Sequence, residues 1–172
     1  MLIQRETPDQ ADAIRAVTAA AFAQPETLTE PVEAKLLDEL RDTDAWLPAL
    51  SLVAIGADDA VVGHVVCTRA RLNSTAVLGL GPLSVHPDHQ RRGVGLALMH
   101  AVLGAADALG EPLVVLLGDP GYYSRFGFRL AHEYGIEPTV PEWRPHFQAR
   151  PLSTFSPALR GTFTYAEPFD RV

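Results

Sequence analysis

Between Val85 and Leu96 the chain reads "VHPDHQRRGVGL", and those residue types suit one task, the holding of an anion. A loop enters an apolar helix here, and the first amides of a helix have no internal partner. Gly93 and Gly95 remove side chains, so a phosphate can approach the main chain closely while the helix dipole adds a favourable field. Arg91 and Arg92 place positive charge at the rim. The amides of Arg91, Arg92, Gly93, Val94, Gly95 and Leu96 are therefore the candidate cradle.

Known phosphate loops narrow the reading. A Walker loop is absent, because Gly-Lys-Ser/Thr occurs nowhere. The dinucleotide fingerprint needs Gly or Ala three places after Gly95, where Leu98 stands. What remains is Gln90-Arg91-Arg92-Gly93-Val94-Gly95 following a strand that ends in Val85; the plainer alternative is a glycine-rich loop that lets a helix pack tightly on a sheet. His86, Asp88 and His89 form an H-x-D-H cluster, but the spacing supplies no third convincing ligand, and no metal is expected. Cys67 is the single cysteine, so no internal disulfide forms, as fits a reducing cytosol. In its apolar surroundings it reads as a small buried hydrophobe, not a nucleophile.

The elements that position these residues follow from periodicity. A short strand spans 2–5. In "TPDQADAIRAVTAAAF", Thr7 can cap, Pro8 suits the first helical position and Gln10 completes a capping box; Ile14, Val17, Ala21 and Phe22 mark one buried face. A second helix over 30–41 buries Val32, Leu36, Leu37 and Leu40. A β meander covers "SLVAIG", "VVGHVVCTRARL" and "AVLGLGPLSV". The apolar helix runs from Gly93 to Leu109 and stops at Gly110, and "PLVVLL" is a strand covered on both faces. The order predicts an α/β fold, a mixed sheet flanked by helices. Beyond Leu130 prolines and aromatics dominate, and only "GTFTYAEPF" resembles another strand.

With 172 residues, 47% of them apolar, the chain is sized for one domain, 1–172. Segment 131–172 is an extension expected to pack on the core, because Trp143, Phe147, Phe155 and Phe163 need burial. No apolar run reaches the roughly 18 residues that cross a bilayer, and the N-terminus lacks a signal peptide's apolar core. A soluble, cytoplasmic protein without membrane contact is expected. The net charge is −7, Lys35 is the only lysine, and no basic stripe exists, which argues against nucleic acid.

The loop, its place after a meander and before a covered strand, and the later "GYYSRFGF" together resemble the GNAT N-acetyltransferases over roughly 1–130. The loop matches that family's Q/R-x-x-G-x-G/A pattern, and "YSRFGF" its Tyr-x-x-x-Gly-Phe segment. The resemblance implies acetyl-CoA as co-substrate, its pyrophosphate on the loop. It also implies a fourth strand splayed from the fifth, on whose free edge pantetheine lies like an added strand. Gly79, Gly81 and Pro82 suit such an opening, since they disfavour regular pairing and promote a bulge. The backbone of Leu83, Ser84 and Val85 would then pair with the pantetheine amides, an N–H there facing the developing oxyanion. Many relatives carry an asparagine seven places before the tyrosine; here that place is Leu116, which cannot make the same contact. The "GDPGYY" connection and proline-rich tail resemble one bacterial branch of the superfamily.

By the same resemblance, Tyr123, four residues before Gly127, is the general acid that protonates the departing thiolate, since a phenol stays protonated at neutral pH. Tyr122 is expected to point elsewhere, into core or the acceptor pocket. Glu30, Glu33 and Asp119 could meet an ammonium, and no general base is assigned. The implied activity is acetyl transfer to a primary amine on a small molecule or peptide, by direct attack. The alternative is a non-catalytic acyl-CoA-binding sensor or partner subunit; a homodimer is compatible with either.

Overall fold

A computed structural model describes residues 1–172. Strands β1 (Leu2–Arg5), β2 (Ser51–Ile55), β3 (Val61–Leu72) and β4 (Thr75–Val85) form an antiparallel meander, and β5 (Leu113–Leu117) joins β4 in parallel. Helices α1 (Ala11–Phe22) and α2 (Val32–Arg41) precede β2, α3 (Val94–Ala108) links β4 to β5, and the one-turn α4 (Pro120–Tyr123) follows β5. The tail adds β6 (Arg129–Leu130), β7 (Ile136–Pro138), β8 (Phe147–Pro151) and β9 (Gly161–Thr164). The main order across the sheet is β1-β2-β3-β4-β5-β8-β6, with β9 paired to β3 and β7. This is the mixed α/β sheet expected, with helices on both faces.

Strand alternation decides the layers. Leu52, Ala54, Val65 and Cys67 face α3, where Leu98, Met99 and Val102 are fully buried. Val53, Ile55 and Val66 face the other way, onto Ile14 of α1 and Leu37 of α2. Val114 and Leu116 of β5 pack toward α3, whereas Leu113 and Val115 meet the tail aromatics Phe147 and Phe163, which explains an unbroken apolar strand. Truncating a buried leucine such as Leu98 costs on the order of 2–5 kcal/mol, so packing holds α3 in place. It has no side-chain cap.

A buried polar knot ties β1 to α2. Glu6 accepts from Ser51 Oγ at 2.5 Å and from the Arg41 guanidinium, while His64 Nε2 lies 2.8 Å from Ser51 Oγ and 3.2 Å from Glu6. Burial alone would raise the Glu6 carboxyl, but hydrogen bonds from His64, Arg41 and Ser51 pull it down to about 2. Burial keeps His64 neutral by lowering its pKa, against the pull of Glu6.

Several expectations need correction. The capping box of Thr7 and Gln10 is present, with Gln10 Oε1 accepting the Thr7 N–H at 2.9 Å, but Pro8–Gln10 form a 3-10 turn and the α-helix begins only at Ala11. Helix α2 begins at Val32, not Glu30. Val32 is 52% exposed, and Ala21 and Phe22 are only half-buried, because these ends of the helices overhang open space. Strand β8 escaped the sequence reading: "FQARP" is short and ends in proline, and it is held by pairing with β5, Leu117 opposite Phe147, and with the two-residue β6.

Candidate active site

Strand β4 is the hinge of the site. It pairs with β5 only at Leu78–Val114 and Gly79–Val115, then diverges, while β3 follows it on the other side as far as Val85. The β3 register shifts between Val65, opposite Leu83, and Cys67, opposite Leu80, so Gly81 and Pro82 form the irregular step. The main chain of Leu83, Ser84 and Val85 therefore has no strand neighbour on the β5 side. Ser84 offers only its backbone, since its side chain is buried against Thr18 Oγ1 of α1 at 2.9 Å.

That free edge runs into the start of α3. The first loop-to-helix bond, Ala97 N–H to Gly93 O at 3.0 Å, leaves the amides of Val94, Gly95 and Leu96 without intrahelical acceptors. Gly93 sits at φ 81° and Arg91 at φ 59°, both left-handed, a conformation costly for arginine and characteristic of sites that turn amides toward a ligand. Gln90 Nε2 fastens the loop by donating to Val85 O at 3.1 Å. A groove of about 460 Å³ is lined here by Leu83, Val85, Gln90, Arg91, Gly93 and Gly95, among others. Val94 and Leu96 also reach it, whereas Arg92 is exposed and lies outside the lining. His86 Nδ1 accepts the Asp88 N–H at 3.2 Å.

The two tyrosines separate. The Tyr122 hydroxyl lies 2.9 Å from where a Cβ on Gly95 would stand, so it borders the loop groove and not the hollow that Tyr123 lines. The Arg125 guanidinium covers its ring at 4.9 Å and adds a second cation to that groove. Sequence reasoning missed Arg125, although its spacing of three from Tyr122 on a helical turn was the available signal.

Tyr123 turns the other way. A Cβ on Gly118 would meet its ring at 2.5 Å, so glycine at the end of β5 makes room for it. It lines a second hollow of about 500 Å³ that begins in the β4–β5 split at Leu80, Gly81, Pro82 and Leu83. Burial pushes the Tyr123 phenol up to about 12, with the charges of Tyr122 and Asp119 adding to the effect. Asp119 and Glu33 border the same hollow, whereas Glu30 is engaged by Arg15. Leu116, in place of the family's asparagine, is part of its apolar floor. Trp143, Tyr165 and Phe169 close its far side, and nothing local in the sequence marks them for that wall. Cys67 is fully buried, and burial drives its thiol far above the ordinary range, which removes it from the chemistry.

One continuous path thus joins a helix N-terminus, an unpaired strand edge and a protonated phenol. Known proteins share the whole frame. The family described as acetyltransferase (GNAT) domain matches residues 3–131. The chain is 32% identical, over 99% of both chains, to the uncharacterized N-acetyltransferase YhbS of Escherichia coli. A crystal structure of Escherichia coli YhbS in complex with CoA superposes with a TM-score of 0.90 at 30% identity, covering 99% of this chain and 92% of the other. A GNAT family acetyltransferase from Brucella melitensis in complex with acetyl-CoA gives 0.79 at 34% identity, over 98% and 97% of the chains. With its split sheet and its loop at the start of α3, and with relatives matching end to end, this chain belongs to the GNAT acetyltransferase family.

Proposed function

We propose that this acetyltransferase uses acetyl-CoA, with the pyrophosphate on the amides of Arg91 to Leu96 and pantetheine along the backbone of Leu83 to Val85. The carrying observation is the free β4 edge, which ends at the open α3 N-terminus on one side and at Tyr123 on the other. Both CoA-bound and acetyl-CoA-bound relatives with this fold support the reading. Arg91, Gln90 and Arg125 suit an anionic cofactor locally, in a chain whose overall charge of −7 would repel one.

The acceptor is a primary amine. Its ammonium first loses a proton to water; the neutral nitrogen then attacks the thioester carbon directly, the C–S bond breaks, and the sulfur takes its proton from the Tyr123 hydroxyl. The phenolate recovers a proton from the new N-acyl ammonium, so the products are an amide and free CoA thiol. Tyr123 suits this role because its raised pKa keeps it protonated at neutral pH. A steady-state assay of thiol release over a panel of amines tests the proposal. Sustained release with at least one amine is expected; acetyl-CoA binding by calorimetry without turnover on any amine would overturn it.

A further inference from the structure

The hollow beside Tyr123 has an unusual balance of chemistry. Seventeen residues line it, twelve of them hydrophobic, and among them there is no arginine, lysine or histidine. Its two side-chain carboxyls are Glu33 on α2, free of any ion pair with a basic side chain, and Asp119, whose Oδ1 accepts the Gly121 N–H at 2.9 Å. Three rings build one wall: Tyr165 stacks on Phe169 at 4.5 Å and meets Trp143 edge-on at 6.2 Å. Phe22, Val32 and Leu36 face them from the helices.

These features select among amines. A carboxylate or phosphate on the acceptor would be desolvated with no cation to meet it, beside two like charges. A polyamine or aminosugar would bring several polar groups against a mostly apolar wall, each losing hydration without a hydrogen-bond partner. One ammonium on a flat apolar body satisfies everything present: carboxylates attract the charge, and aromatic walls take the body by stacking and area burial. A volume of about 500 Å³, shared with the acetyl end of the cofactor, limits that body to a small molecule.

Resting on acetyl transfer at this site, we propose that the acceptor is a small monoamine carrying a hydrophobic, aromatic body and no anionic group, selected by the wall of Trp143, Tyr165 and Phe169. These rings lie beyond the segment 3–131 that the family shares, so the tail sets this specificity.

The test compares phenethylamine with phenylalanine, spermidine and kanamycin in thiol release by the full chain at saturating acetyl-CoA. Phenethylamine and phenylalanine differ by one carboxylate, which isolates the charge argument. Phenethylamine should exceed each of the others by at least about tenfold in kcat/KM, a modest demand for an unpaired buried charge. Trp143→Leu should raise the KM for phenethylamine by about three- to tenfold, the worth of an aromatic contact, while the KM for acetyl-CoA holds. Should Trp143→Leu fail to fold, Phe169→Leu gives the same readout from the other side of Tyr165. Preference for phenylalanine, spermidine or kanamycin would overturn the assigned class while leaving acetyl transfer intact. Bound acetyl-CoA with no turnover on any amine would instead remove the transferase reading itself, and this proposal with it.

Discussion

Replacing Tyr123 with phenylalanine takes one oxygen from the hollow at the β4–β5 split, where we propose that cofactor and acceptor meet. No hydrogen bond contributes to the state of that hydroxyl, and it is not among the sealed, unpartnered polar atoms, which are His64 Nδ1, Thr68 Oγ1 and His132 Nδ1. The change breaks no internal pairing, so stability should hold within about 1 kcal/mol. Catalysis should not hold. At a pKa of about 12, against about 8.5 for a free thiol, complete transfer of the proton to thiolate is uphill by roughly 3.5 units, or about 4.8 kcal/mol at 1.36 kcal/mol per unit. The phenol can therefore act only in concert, giving its proton as the C–S bond breaks and regaining one from the strongly acidic N-acyl ammonium. Such a relay belongs at the lower end of the ~10²- to ~10⁴-fold typical of positioned acids.

The expected result for Tyr123→Phe is a kcat lower by about 10²-fold, equivalent to about 2.7 kcal/mol in the barrier, with acetyl-CoA affinity unchanged. Because the phenol works in its protonated form, its raised pKa predicts no alkaline loss from Tyr123 until pH approaches about 12. Single-turnover thiol release under saturating amine measures the chemical step, and calorimetry measures the cofactor. A Tyr123→Phe enzyme with the wild-type single-turnover rate would show that the ring only packs against Gly118 and that sulfur leaves by another route.

Gly93 holds φ at 81°, and its missing Cβ opens on empty space, so Gly93→Val should keep the circular-dichroism spectrum while turning the cradle amides, costing about 1–2 kcal/mol of strain and removing measurable acetyl-CoA binding by calorimetry. Glu6 is held at about 2 instead of 4.5, a difference of 2.5 units worth about 3 kcal/mol. Since its folded pKa is depressed, that stability is complete above about pH 4.5 and is lost as pH falls through 2; Glu6→Gln should therefore weaken urea resistance at pH 7 and flatten its decline toward pH 3. We further propose that residues 1–172 act as one domain, because β8 and β9 hydrogen-bond to β5 and β3; limited proteolysis should not yield a stable, active fragment ending near Leu130.

The parts of the site legible in the sequence are those whose chemistry is local. A helix start announces itself within a few residues, so Gly93, Gly95 and the arginines before them were readable as an anion loop. The β4 opening was readable at Gly81 and Pro82, which interrupt the ladder, whereas Gly79, against expectation, stays paired to Thr68 and Val115. What stayed hidden depends on contacts across many residues. Val32 and Phe22 obey the same helical period as true core positions, yet they end over a cleft, since periodicity gives a face and not what covers it. The register before Gly127 told Tyr123 from Tyr122, but not which hollow each would face. Room for them comes from two glycines, the distant Gly95 on α3 beside the Tyr122 hydroxyl and the nearby Gly118 after β5 beside the Tyr123 ring.

The tail carries this logic furthest. Tyr165 reaches the split because β9 pairs with β3 at Arg71–Thr164 and because Gly79, on β4, leaves its ring 2.8 Å from where a Cβ would be. Gly79, the last β4 residue still paired to β5, thus also seats the ring that bounds the hollow beside Tyr123. A Gly79→Ala change would therefore push on the Tyr165 ring and on the last β4–β5 pair together.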